Sequence, residues 1–229
     1  LLNRSAVGFA FDGDADRLGV IDDKGRYLSP HIVFPLILLY LLEGRKIKGK
    51  GKVVQAISLG YLSERIAKKF NLPFEEVSVG FKYICEKMLT ENVMLGGEES
   101  GGYGWCGGLP ERDGILNALL ITEMLSKTKK KLSEFVDEIP KYPSERINYT
   151  CADEKKFIVV EKLKKKLSKQ YKNIITMDGV RVDFPNGWVL IRASNTSPKI
   201  RLTIEAENDK EFLRLKKEFS AFMEKELFV

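Results

Sequence analysis

Cysteine is scarce in this chain. The three present, Cys85, Cys106 and Cys151, are odd in number and far apart. That excludes a disulfide framework and a cysteine-based zinc site, and a reducing, cytoplasmic setting is the default expectation. Histidine is scarcer still: His31 is alone, at the head of an apolar segment, and is a poor candidate for catalysis. Long hydrophobic runs are missing. The most apolar stretch, Ile32 to Leu42, would make a helix of roughly 16 Å at about 1.5 Å per residue, half a bilayer core, so it reads as a buried helix and not as a membrane span. No charged and apolar pattern follows Leu1 and Leu2, so no signal peptide is expected. Internal repeats and low-complexity segments are lacking. So is an initiating Met: the chain enters almost at once on a strand-like run and reads as a piece cut from a longer protein.

What is present has globular proportions. Of 229 residues, 44% are hydrophobic and 31% charged, enough apolar material for one or two packed domains and no signature of disorder. The formal charge of +6 is concentrated in Lys-rich runs, Lys127, Lys129, Lys130 and Lys131, then Lys162, Lys164, Lys165 and Lys166. Solvated helix faces account for them. No aromatics interleave with these lysines and no nucleic-acid motif accompanies them, which argues against a nucleic-acid partner. An anionic small molecule fits the charge as well.

Patterning predicts a strand over Ala6 to Phe11, a loop over Asp12 to Arg17, and a return strand over Leu18 to Ile21. Strands and helices then alternate. Helices are expected at His31 to Leu42, Leu62 to Phe70, Phe81 to Thr90 and Asp113 to Leu125, with Asp113 as N-cap. Strands are expected at Val53 to Ile57, Phe74 to Val77 and Val93 to Leu95, the last running into a glycine-rich loop, Gly96 to Gly108. This rhythm predicts an α/β domain with a mixed, mostly parallel sheet and helices on both faces, its chemistry at the carboxyl ends of the strands. A short helix and two prolines place a boundary near Pro140 to Pro143. Beyond it, helices at Glu154 to Gln170 and Asp209 to Leu227 enclose strands at Asn173 to Met177, Val180 to Phe184, Trp188 to Ala193 and Ile200 to Glu205. That predicts a small α+β domain, an antiparallel sheet with two helices on one face.

Three loops carry candidate chemistry. In Asp12-Gly-Asp-Ala-Asp-Arg17 the alternate residues Asp12, Asp14 and Asp16 can converge on one point. Three such carboxylates repel one another unless a cation sits among them, and hard oxygens favour magnesium or calcium. An acidic surface turn is the plain alternative. A calcium EF-hand is rejected, because Arg17 stands where its Gly belongs, Asp23 where its Glu belongs, and a strand precedes the loop. Arg17 either neutralises the carboxylates or binds a phosphate beside the metal. In Gly96-Gly-Glu-Glu-Ser-Gly-Gly102, Glu98 and Ser100 can hydrogen-bond vicinal sugar hydroxyls; a flexible acidic loop is the competing reading. In Arg192-Ala-Ser-Asn-Thr-Ser-Pro198 the planar fork of Arg192 and the short donors Ser194, Asn195 and Thr196 suit a phosphate, against an ordinary polar hairpin turn.

These loops, in this order, resemble the α-D-phosphohexomutases, the family of phosphoglucomutases, phosphomannomutases and phosphoglucosamine mutases. The metal loop of that family reads DGDxDR, its sugar loop GE-x-S-G and its phosphate loop R-x-S-N-T-x-P. Val79-Gly-Phe-Lys-Tyr83 is similar to a further segment of the family whose lysine faces the active-site cleft. The resemblance implies that Asp12, Asp14 and Asp16 hold one Mg2+, that Arg17 sits beside a phosphoserine and the substrate, and that Glu98 and Ser100 grip sugar hydroxyls. It implies that Arg192, Ser194, Asn195 and Thr196 hold the non-reacting phosphate, with Lys82 a further substrate contact. It also implies a hexose bisphosphate intermediate, which serves as activator.

The family's chains are roughly twice as long and have four domains. On that likeness, 1–25 corresponds to the end of the second domain, 26–141 to the third and 142–229 to the fourth. Two departures stand out. Gly102 occupies a position where many members have His. A segment like T-x-S-H-N-P, whose serine shuttles the phosphoryl group, does not occur among the 229 residues. The expectation is a phosphohexomutase acting on glucose or mannose phosphates, a lean that rests on Glu99, with this chain inactive until joined to its N-terminal half. A non-catalytic module that binds sugar phosphates is the alternative.

Overall fold

Two short apolar strands, β1 (Val7–Phe11) and β2 (Leu18–Asp22), pair antiparallel with Phe11 opposite Leu18, so the six residues between them form the tip of a hairpin. The computed structural model describes residues 5–47 and 51–227, and the expectations resting on Leu1 and Leu2 fall outside them. A third strand, β3 (Tyr27–Leu28), completes the sheet. Asp22 closes the turn before it, accepting from the Lys24 and Arg26 N–H groups at 2.9 Å and from Arg26 Nε at 2.6 Å.

The α/β part follows as α1 (Pro30–Leu39), β4 (Lys52–Ala56), α2 (Leu62–Lys69), β5 (Phe74–Val77), α3 (Phe81–Thr90), β6 (Val93–Gly97), β7 (Tyr103–Trp105), α4 (Gly114–Thr128) and α5 (Leu132–Glu138). The first helix starts on Pro30, where a missing N–H costs nothing. It stops at Leu39, earlier than the apolar pattern implies, and passes into a π-helical turn, Tyr40–Gly44. The sheet order is β5-β4-β6-β7, with parallel pairings of β4 to β5 and to β6 and an antiparallel β7 at the edge. One of its faces is covered by α3 through Val54, Val77, Phe81, Ile84 and Val93. Among the described residues no helix is long and apolar enough to cross a membrane.

Glycine misled the reading of this segment. The strand expected to end at Leu95 continues through Gly97, and Tyr103 to Trp105, expected as loop, is a buried strand. The glycines here serve close packing: a Cβ at Gly96 would overlap Ile84, and one at Gly97 would overlap the Phe34 ring. Backbone approach of helices to the sheet, and not loop flexibility, requires glycine at both positions.

The chain divides into two compact units, Leu1–Pro140 and Lys141–Val229. The second contains β8 (Ser144–Thr150), α6 (Asp153–Gln170), β9 (Ile174–Ile175), β10 (Val180–Phe184), β11 (Gly187–Ala193), β12 (Lys199–Ala206) and α7 (Asp209–Leu227). Its five strands are all antiparallel, in the order β8-β12-β11-β10-β9. Alternate residues Val180 and Val182, Val189 and Ile191, Ile200, Leu202 and Ile204 join Val160, Leu163 and Leu167 of α6 and Leu215, Phe219 and Met223 of α7 in one core. The period of two thus puts both helices on one face, and leaves Arg192 on the other. The edge strand β8 went unread, because its alternating residues Glu145, Ile147 and Tyr149 are only half-buried and its sequence is largely polar.

Candidate functional site

The hairpin tip draws Asp12, Asp14 and Asp16 together, with one carboxylate oxygen of each within 4.8 Å of the others. The turn that does this starts with Ala15 N–H donating to the Asp12 carbonyl at 3.2 Å and places Ala15 at φ +59°. Arg17 closes it: its backbone N–H donates to Asp12 Oδ1 at 3.2 Å and its Nε donates to Asp12 Oδ2. Burial pushes the Asp12 carboxyl up, but the hydrogen bonds and charge of Arg17 outweigh it and leave the group below its usual range. Asp16 goes the other way, raised by burial and by the Asp14 and Asp12 charges despite the counter-charge of Arg112. Three hard oxygen donors in one turn suit a magnesium-like cation. Asp16 Oδ1 is buried without a hydrogen-bond partner, a lone pair such an ion would satisfy.

The glycine-rich loop lies directly against this tip. Leu18 N–H donates to the Gly101 carbonyl at 2.9 Å, and Arg17 and Gly102 form an antiparallel bridge. Gly101 has φ +88°, and a Cβ there would lie 2.6 Å from the Leu18 carbonyl, so this contact requires glycine. Glu98 is 4% exposed; it accepts from Gly80 N–H at 2.8 Å and from Ser100 Oγ at 3.3 Å. Burial, and then the neighbouring Glu99 charge, raise its carboxyl above the ordinary range. Ser100 is exposed. Ser58, in the loop after β4, donates to Glu99, so loops from the carboxyl ends of β4, β5 and β6 converge, as the parallel pairings dictate. Lys82 is exposed in the first turn of α3, its Nζ 4.8 Å from the Tyr83 ring centroid. It borders a groove whose other wall includes Glu111 and Arg112.

Arg112 belongs to this site and was missed by the sequence reading. Its Nη2 lies 2.7 Å from Asp16 Oδ2 and its Nη1 3.9 Å from Glu98 Oε2. It follows Glu111 in a loop with no periodic pattern; the one signal was its position just before the Asp113 cap, whose carboxylate accepts from Leu116 N–H at 2.8 Å. That helix start is tied to the acidic tip, Gly114 N–H donating to the Ala15 carbonyl at 3.1 Å.

In the second unit, Arg192 ends β11 with only 2% exposure. Its Nε donates to Asp178 Oδ2 at 3.1 Å, and its Nη2 is buried with no hydrogen-bond partner. Arg201 sits directly opposite it on β12. Like charges facing each other across a sheet are unfavourable, and Asp178 supplies a counter-charge to Arg192. Ser194 is buried, its N–H donating to the Lys199 carbonyl at 2.9 Å and its Oγ accepting from Thr196 N–H at 3.4 Å. Asn195 and Thr196 are exposed at the loop tip. Lys156 of α6, also missed, reaches the loop from below: its buried Nζ donates to the Ser197 carbonyl at 3.1 Å and to Asp153 at 2.6 Å. Its place inside a Lys-rich helix concealed it.

A mixed α/β unit with this acidic tip and glycine loop, followed by an antiparallel α+β unit with an arginine loop, is the architecture of one known class. Residues 29–142 match the alpha/beta/alpha domain III of phosphoglucomutase/phosphomannomutase, and residues 147–222 match the C-terminal domain of the same family. The chain belongs to the phosphoglucomutase/phosphomannomutase family. It is 35% identical over 206 residues to the phosphoglucosamine mutase of Methanocaldococcus jannaschii, across 90% of this chain and 45% of that protein. It is 36% identical over 211 residues to the phosphoglucomutase/phosphomannomutase of Thermococcus kodakarensis, across 91% of this chain and 45% of that one. A phosphoglucomutase/phosphomannomutase family protein from Burkholderia thailandensis has the same fold, with a TM-score of 0.81 at 24% identity over 96% of this chain and 46% of its own. The chain therefore spans about half the length of the curated relatives it matches.

Proposed function

We propose that this chain supplies the metal, sugar and phosphate grips of a phosphohexomutase that interconverts hexose 1-phosphate and hexose 6-phosphate. The observation that carries the reading is the direct seating of the Asp12/Asp14/Asp16 tip on the Glu98 loop, through Leu18 N–H to Gly101 and through Arg112. Asp12, Asp14 and Asp16 hold one Mg2+, which when bound offsets the charge that develops on a transferring phosphoryl group. Arg17 faces the same group. Buried Glu98 and exposed Ser100 take the sugar hydroxyls, and Lys82 guides the phosphorylated ligand along the α3 groove. Arg192, with Ser194, Asn195 and Thr196, binds the phosphate that does not react; its unspent buried N–H supports the assignment.

The transferred phosphoryl group comes from a serine in a T-x-S-H-N-P segment that these residues do not include, by way of a hexose bisphosphate that also acts as activator. Residues 1–25, with the hairpin of β1 and β2, belong, on this reading, with the domain that precedes them in the whole enzyme. Glucose and mannose phosphates are the proposed substrates, with Glu99, tethered by Ser58, beside the sugar grip. The test is a coupled mutase assay with Mg2+ and hexose bisphosphate. The chain alone is expected to be silent, and the chain joined to a segment bearing that serine active on glucose 1-phosphate or mannose 1-phosphate. Silence of the joined protein on every common hexose phosphate sinks the reading.

A further inference from the structure

Resting on the cation and sugar assignments above, we infer that Arg112 is a resident counter-charge of the acidic tip that gives up Asp16 and turns to Glu98 when a divalent cation binds, so that cation occupancy and the carbohydrate grip are tied together. The geometry carries this. Its guanidinium faces three carboxylates: Asp16 at 2.7 Å, Glu111 at 3.5 Å and Glu98 at 3.9 Å. Its Nη2 is paired closely with Asp16, and its Nη1 only loosely with Glu98. Buried Nε makes no hydrogen bond, with only the Glu111 carboxylate at 3.5 Å beside it, and is a donor in reserve. Glu98 is almost wholly buried with two donors, Gly80 N–H and Ser100 Oγ, leaving acceptor capacity for a third. The guanidinium also lies 5.6 Å from the Phe81 ring centroid, a face along which a planar cation can slide.

Gly102 makes the arrangement possible. The aliphatic stem of Arg112 crosses directly over its α-carbon: a Cβ there would lie 2.9 Å from Arg112 Cγ and closer still to Cδ. Any side chain at position 102 therefore pushes the stem off its route to Asp16. A divalent cation among the three carboxylates offsets most of the charge that holds Arg112 at Asp16 Oδ2, and the Glu98 carboxylate is the next one within its reach. A guanidinium at Glu98 fixes that carboxylate and still leaves it a lone pair for a sugar hydroxyl, so the two ligands reinforce each other, and the coupling is reciprocal.

The counter-charge role and a purely structural one differ in sign. Mn2+ affinity is read by electron paramagnetic resonance on the whole chain, and glucose 6-phosphate affinity by calorimetry with and without Mg2+. Arg112→Gln is expected to bind Mn2+ roughly tenfold more tightly, as a charge some 5 Å from a divalent ion is removed at a solvated site whose dielectric is close to that of water. Arg112→Lys should lie between, and Gly102→Ala, which keeps the charge but displaces the stem, should shift in the same direction as Arg112→Gln. In the wild type Mg2+ should tighten glucose 6-phosphate by about fivefold or more, and in Arg112→Gln by little. Weaker Mn2+ binding in Arg112→Gln, with thermal unfolding close to wild type, overturns the proposal in favour of a scaffold role; so does coupling that survives the substitution. A wild-type chain that binds neither Mn2+ nor glucose 6-phosphate removes the underlying functional reading itself, and is told apart from these by the wild-type titrations alone.

Discussion

The first unit keeps its charged groups on loop tips, and the second keeps its own at the end of a strand. Arg17, with its side chain 49% exposed, pairs with Asp12 and Asp16 of its own loop, and Arg112 reaches Asp16 and Glu98 from another. Arg192, with 2% exposure, is held by the β11 ladder, by Asp178 and by the close approach of Gly179. Exposed pairs of opposite charge exchange partners at small cost, whereas a buried guanidinium with a fixed stem loses little entropy when an anion arrives. On the proposed reading, the first site suits charges that change hands and the second a charge that stays in place.

That contrast is open to breaking. Its largest expected effect is on the rigid side. Gly179 has φ +75°, and a Cβ there would lie 2.9 Å from Arg192 Cα and overlap the Ile191 carbonyl. Gly179→Ala should destabilise the second unit by about 3 kcal/mol, strain and overlap together, read by urea unfolding followed on Trp188. An unchanged midpoint would mean that Arg192 is not held as described. Next comes Arg192→Gln, which keeps a polar side chain and drops the charge and the guanidinium fork. Glucose 6-phosphate affinity should fall about thirtyfold, the scale of a lost charge-assisted hydrogen-bond pair, with Mn2+ affinity unaltered. A Mn2+ shift of similar size would erase the division of labour between the units.

The smallest effect sharpens the view of surface pairs in the first unit. Glu123 is paired with Arg45 and Lys127, whose hydrogen bonds lower its carboxyl to about 2. A lowered folded value means that the pair stabilises above the ordinary carboxylate pKa near 4.5, and that this share is lost as pH falls from there through about 2. Solvent screening holds it to a few tenths of a kcal/mol. Stability measured from pH 6 to pH 2 should drop slightly less for Glu123→Gln than for the wild type; identical slopes would show the pair to be neutral.

Much of the architecture was legible in the chain. The alternation of Val53 to Ile57 with Leu62 to Phe70 and their successors announces parallel pairing through the crossover rule, and β4 pairs with β5 and β6 accordingly. The acidic triplet was legible for a similar reason: alternate residues after a strand share a side whatever the rest of the protein does. Legibility failed where meaning depended on a neighbour remote in sequence. Gly96 and Gly97 look like loop residues until Ile84 and Phe34 are set against them. β8 looks like linker until β12 pairs with it. Lys156 looks like one more solvated lysine, and only the turn at Ser197 shows it to be buried.

Local order along the chain sufficed to specify two layered units, a cluster of three carboxylates and a loop headed by arginine, because hydrophobic period and turn chemistry act over a few residues and need no partner. Which cation stands beside which carboxylate was beyond it. Arg112 reaches Asp16 and Glu98 because two hydrogen-bonded loops and one bare glycine leave a path between them. Electrostatic pairing is a matter of a few ångströms, and only the folded chain sets those.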